Sequence, residues 1–112
     1  MSAAVVALDP YVPGSAVAEL RRKAVDAVVR QQQLREELAA IRARACEVER
    51  QASRALARGD DLLARQILAR GIFTLKTRDS LEAELVESRG HVARLLTTMV
   101  RTENRAWWGN GR

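Results

Sequence analysis

The sequence contains few of the residues that build compact globular cores or interrupt helices. Only 4% of its 112 residues are aromatic, both prolines lie before residue 14, and there are six glycines. Charged residues make up 29% of the chain. A chain rich in alanine, glutamate, leucine and arginine, with almost no helix breakers, is typical of long helices or coiled coils. Sheet architectures and deep catalytic pockets are therefore not expected.

Cysteine and histidine are each represented once, by Cys46 and His91. A single cysteine excludes an intrachain disulfide and is typical of a cytoplasmic protein. On a helical hairpin these two residues lie far out of register, which excludes a shared metal site. The chain also has no phosphate-cradling glycine loop. We therefore expect no catalysis, no metal and no cofactor.

The net charge of +5 is spread over both halves of the chain and forms no basic patch. A specific nucleic-acid partner is therefore not expected, although loose attraction to anionic lipid is compatible with this charge. No apolar run approaches the ~20 residues of a membrane span. The sequence thus indicates a cytoplasmic protein, either free or peripheral at the inner face of the membrane.

The first long element is a helix over residues 15–58, preceded by an irregular N-terminal segment, residues 1–14, that contains both prolines. Ser15 is a candidate N-cap, and neither proline nor glycine occurs from there to Arg58. Spacings of three and four alternate along a heptad seam. Eleven of its twelve residues are apolar: Val17, Leu20, Ala24, Ala27, Gln31, Leu34, Leu38, Ile41, Ala45, Val48, Ala52 and Ala55.

A turn is predicted near residues 59–60. Gly59 suits the left-handed position that ends a helix, and Asp60 or Asp61 suits the N-cap of the next. The second helix is predicted over residues 61–103, so that the hairpin spans residues 15–104. Glycines near the C-terminus predict a flexible tail over residues 105–112. Within that tail, Trp107 and Trp108 are candidates for lipid or partner contact.

Folding the two helices about Gly59 aligns their seams. Residues whose numbers add to 119 face each other, as Leu34 faces Leu85, and the polar Gln31 faces the polar Ser88. The predicted fold is all-α, a long antiparallel two-helix coiled-coil hairpin that assembles with other chains.

The seam pattern weakens between residues 68 and 79. Two interpretations are open: a local slip of the seam, or a second apolar face that binds another subunit. We favour the second, because a two-helix hairpin buries only one side of each helix. The candidate partner face comprises Leu68, Ile72, Phe73 and Leu75.

The residues around the turn resemble a known signature. They are Ala55, Leu56, Ala57, Arg58, Gly59, Asp60, Asp61, Leu62, Leu63, Ala64 and Arg65. This segment is similar to the A-L-x-x-G-x-E-x-L-A-R motif of the phage shock protein A family and its plastid relative, the vesicle-inducing protein in plastids, with Asp61 replacing the usual glutamate. Leu81-Glu82-x-Glu84-Leu85 resembles the continuing second helix.

The resemblance covers about residues 20–102 and implies a bacterial ESCRT-III-like protein. Such proteins are cytoplasmic, bind membranes peripherally, polymerise during membrane stress and in some cases restrain an AAA+ transcriptional activator. It implies that the tip motif, Ala55, Leu56, Leu62, Leu63, Ala64 and Arg65, mediates contacts between subunits. The expected partners are the chain itself or a full-length relative.

Three functions remain open. The first is a non-catalytic assembly protein of the phage shock type, and the second is a soluble coiled-coil adaptor or regulator without a membrane role. The third, a basic nucleic-acid-binding hairpin, ranks last because basic residues and aromatics are not clustered.

Overall fold

The computed structural model describes the backbone of residues 14–110 and the side chains of residues 15–105. Two α-helices account for this part of the chain: α1 over Gly14–Ala57 and α2 over Asp61–Asn110. The prediction of an all-α helical hairpin is confirmed. α1 begins one residue before Ser15, which is thus a helical residue and not the N-cap. Neither helix contains, among the described residues, an apolar stretch long enough to cross a bilayer.

The second helix extends seven residues beyond its predicted end at Glu103 and closes at Asn110. Residues 105–110 are therefore helical, and the prediction of a tail starting at residue 105 places the helix end too early. No glycine or proline lies between Gly90 and Gly109, so nothing in that stretch interrupts the backbone hydrogen bonds. Gly14, the last residue of the predicted irregular segment over residues 1–14, is helical, whereas residues 1–13 of that segment and residues 111 and 112 lie outside the described residues.

Contacts divide the chain into two units, residues 1–31 with 88–112 and residues 32–87. We call the first the terminal unit and the second the turn unit. In the turn unit, Leu34, Leu38 and Leu85 form the core, with Ile41 and Leu81 packed against them. Four alanines close to the turn are also buried: Ala45, Ala52, Ala55 and Ala64.

The turn is a three-residue connection closed by backbone hydrogen bonds. Gly59 has a φ of 76°, the left-handed conformation that favours glycine. Its N–H donates to the carbonyl of Leu56 at 2.9 Å, and the N–H of Asp60 donates to that of Ala55 at 2.8 Å. This pair of bonds is the Schellman arrangement, which satisfies the last carbonyls of α1.

Asp60 begins the second helix as its N-cap. Its Oδ1 accepts a hydrogen bond from the N–H of Leu63 at 3.1 Å, and its carbonyl accepts the first helical bond, from Ala64. Asp61 lies in the first turn, where a carboxylate favours the positive end of the helix dipole. Of the two candidates for the N-cap, Asp60 is therefore the residue that holds this position.

Replacing Gly59 with alanine is expected to lower the free energy of unfolding by about 1 kcal/mol, because an L side chain is strained at positive φ. The space around Gly59 is open, so the loss is purely conformational. Gly59→Asn is the matched control, since asparagine tolerates this conformation. The free energy of unfolding of both variants is measured by urea denaturation. Equal stability of the alanine and asparagine variants would show that the turn does not hold this conformation in solution.

The seam continues without a slip through residues 68–79. Gly71 is buried against Val48, and the numbers of these two residues add to 119 as predicted. Thr74 and Arg78 are half-buried at the following seam positions. The alternative of a local slip is therefore wrong. The heptad pattern of apolar residues is weak in this stretch because Gly71 has no side chain to count. Its role in the seam is to leave room for the side chain of Val48.

The terminal unit has a small core built from short side chains. Ala24, Ala27 and Val92 are buried, and Leu95 and Met99 are half-buried beside them. An ion pair joins the two helices, with Arg21 Nη2 3.2 Å from Glu103 Oε1. Because both partners are well exposed, this pair contributes little to stability.

Candidate interaction surface

The tip motif separates into buried and exposed residues. Ala55 and Ala64 are buried in the seam, where only small side chains let the helices approach. Leu56 and Leu62 instead expose 54% and 66% of their surface. The buried pair thus holds the hairpin together, whereas the two leucines are available to a partner.

The candidate partner face lies on the exposed side of α2. Phe73 is 77% exposed, Ile72 is 48% exposed and Leu68 is 38% exposed, whereas Leu75 is half-buried. None of them occupies a seam position. Apolar side chains that are this exposed and lie outside the seam contribute little to the stability of the isolated hairpin.

Leu56 lies on the same flank of the hairpin as Leu68. An ion pair between Arg42 Nη2 and Glu82 Oε2, at 3.3 Å, spans that flank and shows which residues meet there. The numbers of Arg42 and Glu82 add to 124, as do those of Leu56 and Leu68. Each leucine lies two heptads nearer the turn than the corresponding charged residue, so both pairs lie on the same flank. We define the turn-unit surface as Leu56, Leu62, Leu68, Ile72, Phe73 and Leu75.

A network of charges borders this surface farther along α2. Arg78 occupies a seam position, but its side chain keeps 24% exposure because its long stem carries the guanidinium outward. Its Nη1 lies 3.3 Å from Glu49 Oε1, and its Nε lies 3.1 Å from Asp79 Oδ1 and 3.6 Å from Glu82 Oε1.

The contacts with Asp79 and Glu49 raise the pKa of Arg78 above its usual value. The hydrogen bond to Asp79 has the largest effect, and the bond to Glu49 adds to it against an opposing effect of desolvation. Arg78 therefore stays a cation. It holds three carboxylates together at one end of the turn-unit surface.

The terminal unit also exposes apolar side chains, which the heptad pattern did not single out. Five of these residues are Val25, Val28, Val29, Leu96 and Val100. A shallow groove is lined by the first four of them, together with Arg21, Ala24 and Met99. The sequence feature that could have indicated this groove is the group of three valines, Val25, Val28 and Val29, which lie outside the seam of α1.

The remaining sequence candidates do not form a site. Trp107 and Trp108 belong to α2, but their side chains lie outside the described residues. Cys46 and His91 are both exposed. Within the described part of the chain, no three histidine, cysteine or acidic residues come together as metal ligands would.

No protein-family model, curated protein or solved structure matches this chain.

Proposed function

We propose that this chain is a non-catalytic interaction protein that acts by helix–helix assembly through the turn-unit surface. The exposure of Leu56, Leu62, Ile72 and Phe73 carries the proposal. Burying one such side chain fully contributes about 1.5–3 kcal/mol. Exposed apolar patches on monomers mark interaction sites, and a second helical protein fits this one best because Leu68, Ile72 and Leu75 are spaced by four and three residues along α2.

The sequence resemblance gives this assembly its setting. We propose that the chain acts as phage shock protein A does, in the response to membrane stress in the cytoplasm or at the inner face of the membrane. Its partners are then its own copies or a full-length relative, with an AAA+ activator as a further partner by resemblance. The support is the similarity of the tip motif, whose exposed leucines belong to the turn-unit surface.

The second candidate, a coiled-coil adaptor without a membrane role, is favoured by one observation. The carboxylates of Glu49, Asp79 and Glu82 border the turn-unit surface on one side. These carboxylates outnumber the arginines paired with them, Arg42 and Arg78, so the border is net acidic and attracts a basic segment of a protein rather than anionic lipid. Flotation with anionic liposomes, alone and mixed with a full-length relative, separates the candidates. Protein that stays at the bottom of the gradient in both samples favours the adaptor.

Replacing Ile72 with glutamate is expected to lower the oligomer size, because the charge would have to be buried without a partner in the assembled state. Sedimentation velocity measures the size, and circular dichroism should show unchanged helicity since residue 72 is exposed. Phe73→Glu should act in the same direction.

The matched control is Gln33→Glu, which adds the same charge at an exposed position of α1 in the same unit and removes no apolar surface. Its oligomer size should equal that of the unmodified chain. The proposal fails if Ile72→Glu and Phe73→Glu assemble like this control.

A further inference from the structure

We propose that the occupant of the turn-unit surface is a second copy of this chain, with its α2 antiparallel to the first α2 about a two-fold axis between Ile72 and Leu75. The inference rests on the proposed function and names its partner. It depends on the order of charges along α2, a feature that the assembly proposal does not use.

The exposed side of α2 carries a second heptad pattern in addition to the seam. Leu68, Ile72 and Leu75 are spaced by four and three residues, as in a coiled-coil stripe. Continuing the same spacing reaches Arg65 and then Asp61 in one direction, and Asp79 followed by Glu82 in the other. The apolar stripe is thus flanked directly by a basic residue at one end and by an acidic residue at the other.

Such a stripe is complementary to itself only when the second copy runs in the opposite direction. About the proposed axis, facing residues have numbers that add to 147, so that Ile72 packs on the partner's Leu75 and Leu75 on the partner's Ile72. Arg65 then faces the partner's Glu82, and Leu68 faces the partner's Asp79, which lies one turn along from that contact and within reach of the Arg65 guanidinium. The two-fold axis repeats both contacts. In a parallel arrangement, Arg65 would face its own copy and be repelled.

The acidic end is already ordered in the single chain. Arg78 lies 3.1 Å from Asp79 and 3.6 Å from Glu82, and Arg42 lies 3.3 Å from Glu82. Each carboxylate can accept further hydrogen bonds beyond these contacts. A partner's arginine would therefore meet free acceptor positions on these carboxylates.

The inference is tested by exchanging charges between two variants of the full chain. Arg65→Glu places two carboxylate-rich clusters against each other in the dimer, and we expect it to raise the dimer Kd about tenfold. Asp79→Lys brings two cations together and should weaken the dimer less, because Glu82 remains. Mixed in equal amounts, the two variants bring the new carboxylate at position 65 of one chain close to the new ammonium group at position 79 of the other. The mixture should therefore pair more tightly than either variant alone.

Sedimentation equilibrium or fluorescence anisotropy of labelled chains measures the three Kd values, and circular dichroism checks that each variant stays helical. Arg70→Glu is the matched control, since Arg70 is exposed on α2 but lies off the stripe. It should dimerise like the unmodified chain.

A mixture that pairs no more tightly than the tighter of the two variants alone would overturn the antiparallel copy as the occupant. If Ile72→Glu still lowers assembly in that case, the turn-unit surface remains an interaction site for a different chain. If Ile72→Glu has no effect, the proposed function fails as well. The two failures are therefore distinguishable.

Discussion

Leu38→Ala is expected to lower the free energy of unfolding by about 3 kcal/mol, because it truncates one of the two largest fully buried side chains among the described residues. Leu38 is 1% exposed and packs with Leu34 and Leu85 in the core of the turn unit. Removing the end of its side chain forfeits the transfer energy of those carbons and leaves a cavity. Because small domains have only about 5–15 kcal/mol of stability, this loss should be visible in both thermal and urea denaturation.

Leu62→Ala is the matched control for this truncation. It removes the same atoms from a leucine that is 66% exposed, one residue after the start of α2. Its stability should fall by no more than about 0.5 kcal/mol, measured at a concentration where the chain is monomeric. If the two variants are equally stable, Leu38 does not occupy the core of the hairpin in solution.

Gly71→Ala is expected to lower the free energy of unfolding by about 1.5 kcal/mol, although alanine is the better helix former by about 1 kcal/mol. A Cβ at residue 71 would lie 2.5 Å from Val48 Cγ1 and 2.8 Å from Val48 Cγ2. Such overpacking forces the helices apart or moves Val48 off its preferred rotamer. The cost of the contact with Val48 thus outweighs the gain in helix propensity.

Two further variants isolate that contact. In a Val48→Ala background the two obstructing methyl groups are gone and only a 3.2 Å contact with the Cβ of residue 48 remains, so adding Gly71→Ala should cost much less there than in the unmodified chain. Gly90→Ala makes the same change elsewhere in α2, where a Cβ would meet only the flexible end of Arg94 at 3.2 Å. It should stabilise the hairpin by about 1 kcal/mol. A loss of stability from Gly71→Ala that is as large in the Val48→Ala background as in the unmodified chain would contradict the close approach.

The turn and most of the seam could be predicted from the sequence, because each has a local cause. Gly59 is the only glycine between residues 15 and 70, and Asp60 follows it where an N-cap is needed. Long runs of apolar residues at spacings of three and four then determine which sides of the two helices meet. The register of the hairpin follows once the turn is placed.

The packing of residues 71–78 was harder to predict, because a hydrophobic pattern registers only apolar side chains and the seam here contains a glycine and an arginine. Gly71 stabilises the packing by leaving room for Val48, and Arg78 fits the seam because its aliphatic stem can pack while its charge reaches Glu49. Neither contribution is visible in a pattern of apolar letters. The exposed valines of the terminal unit were missed for another reason, since single small apolar residues on a helix flank are common and indicate no site by themselves.

The three-residue connection at Gly59 also has a consequence for the order of folding. Ala55 and Ala64 are nine residues apart in the sequence, whereas Arg21 and Glu103 are 82 apart. Closing the longer loop from the unfolded chain costs about 2 kcal/mol more entropy. Contacts next to the turn therefore form first, and each one shortens the loop that the next contact must close. We therefore expect the hairpin to fold from Gly59 outward, towards the ends of the two helices.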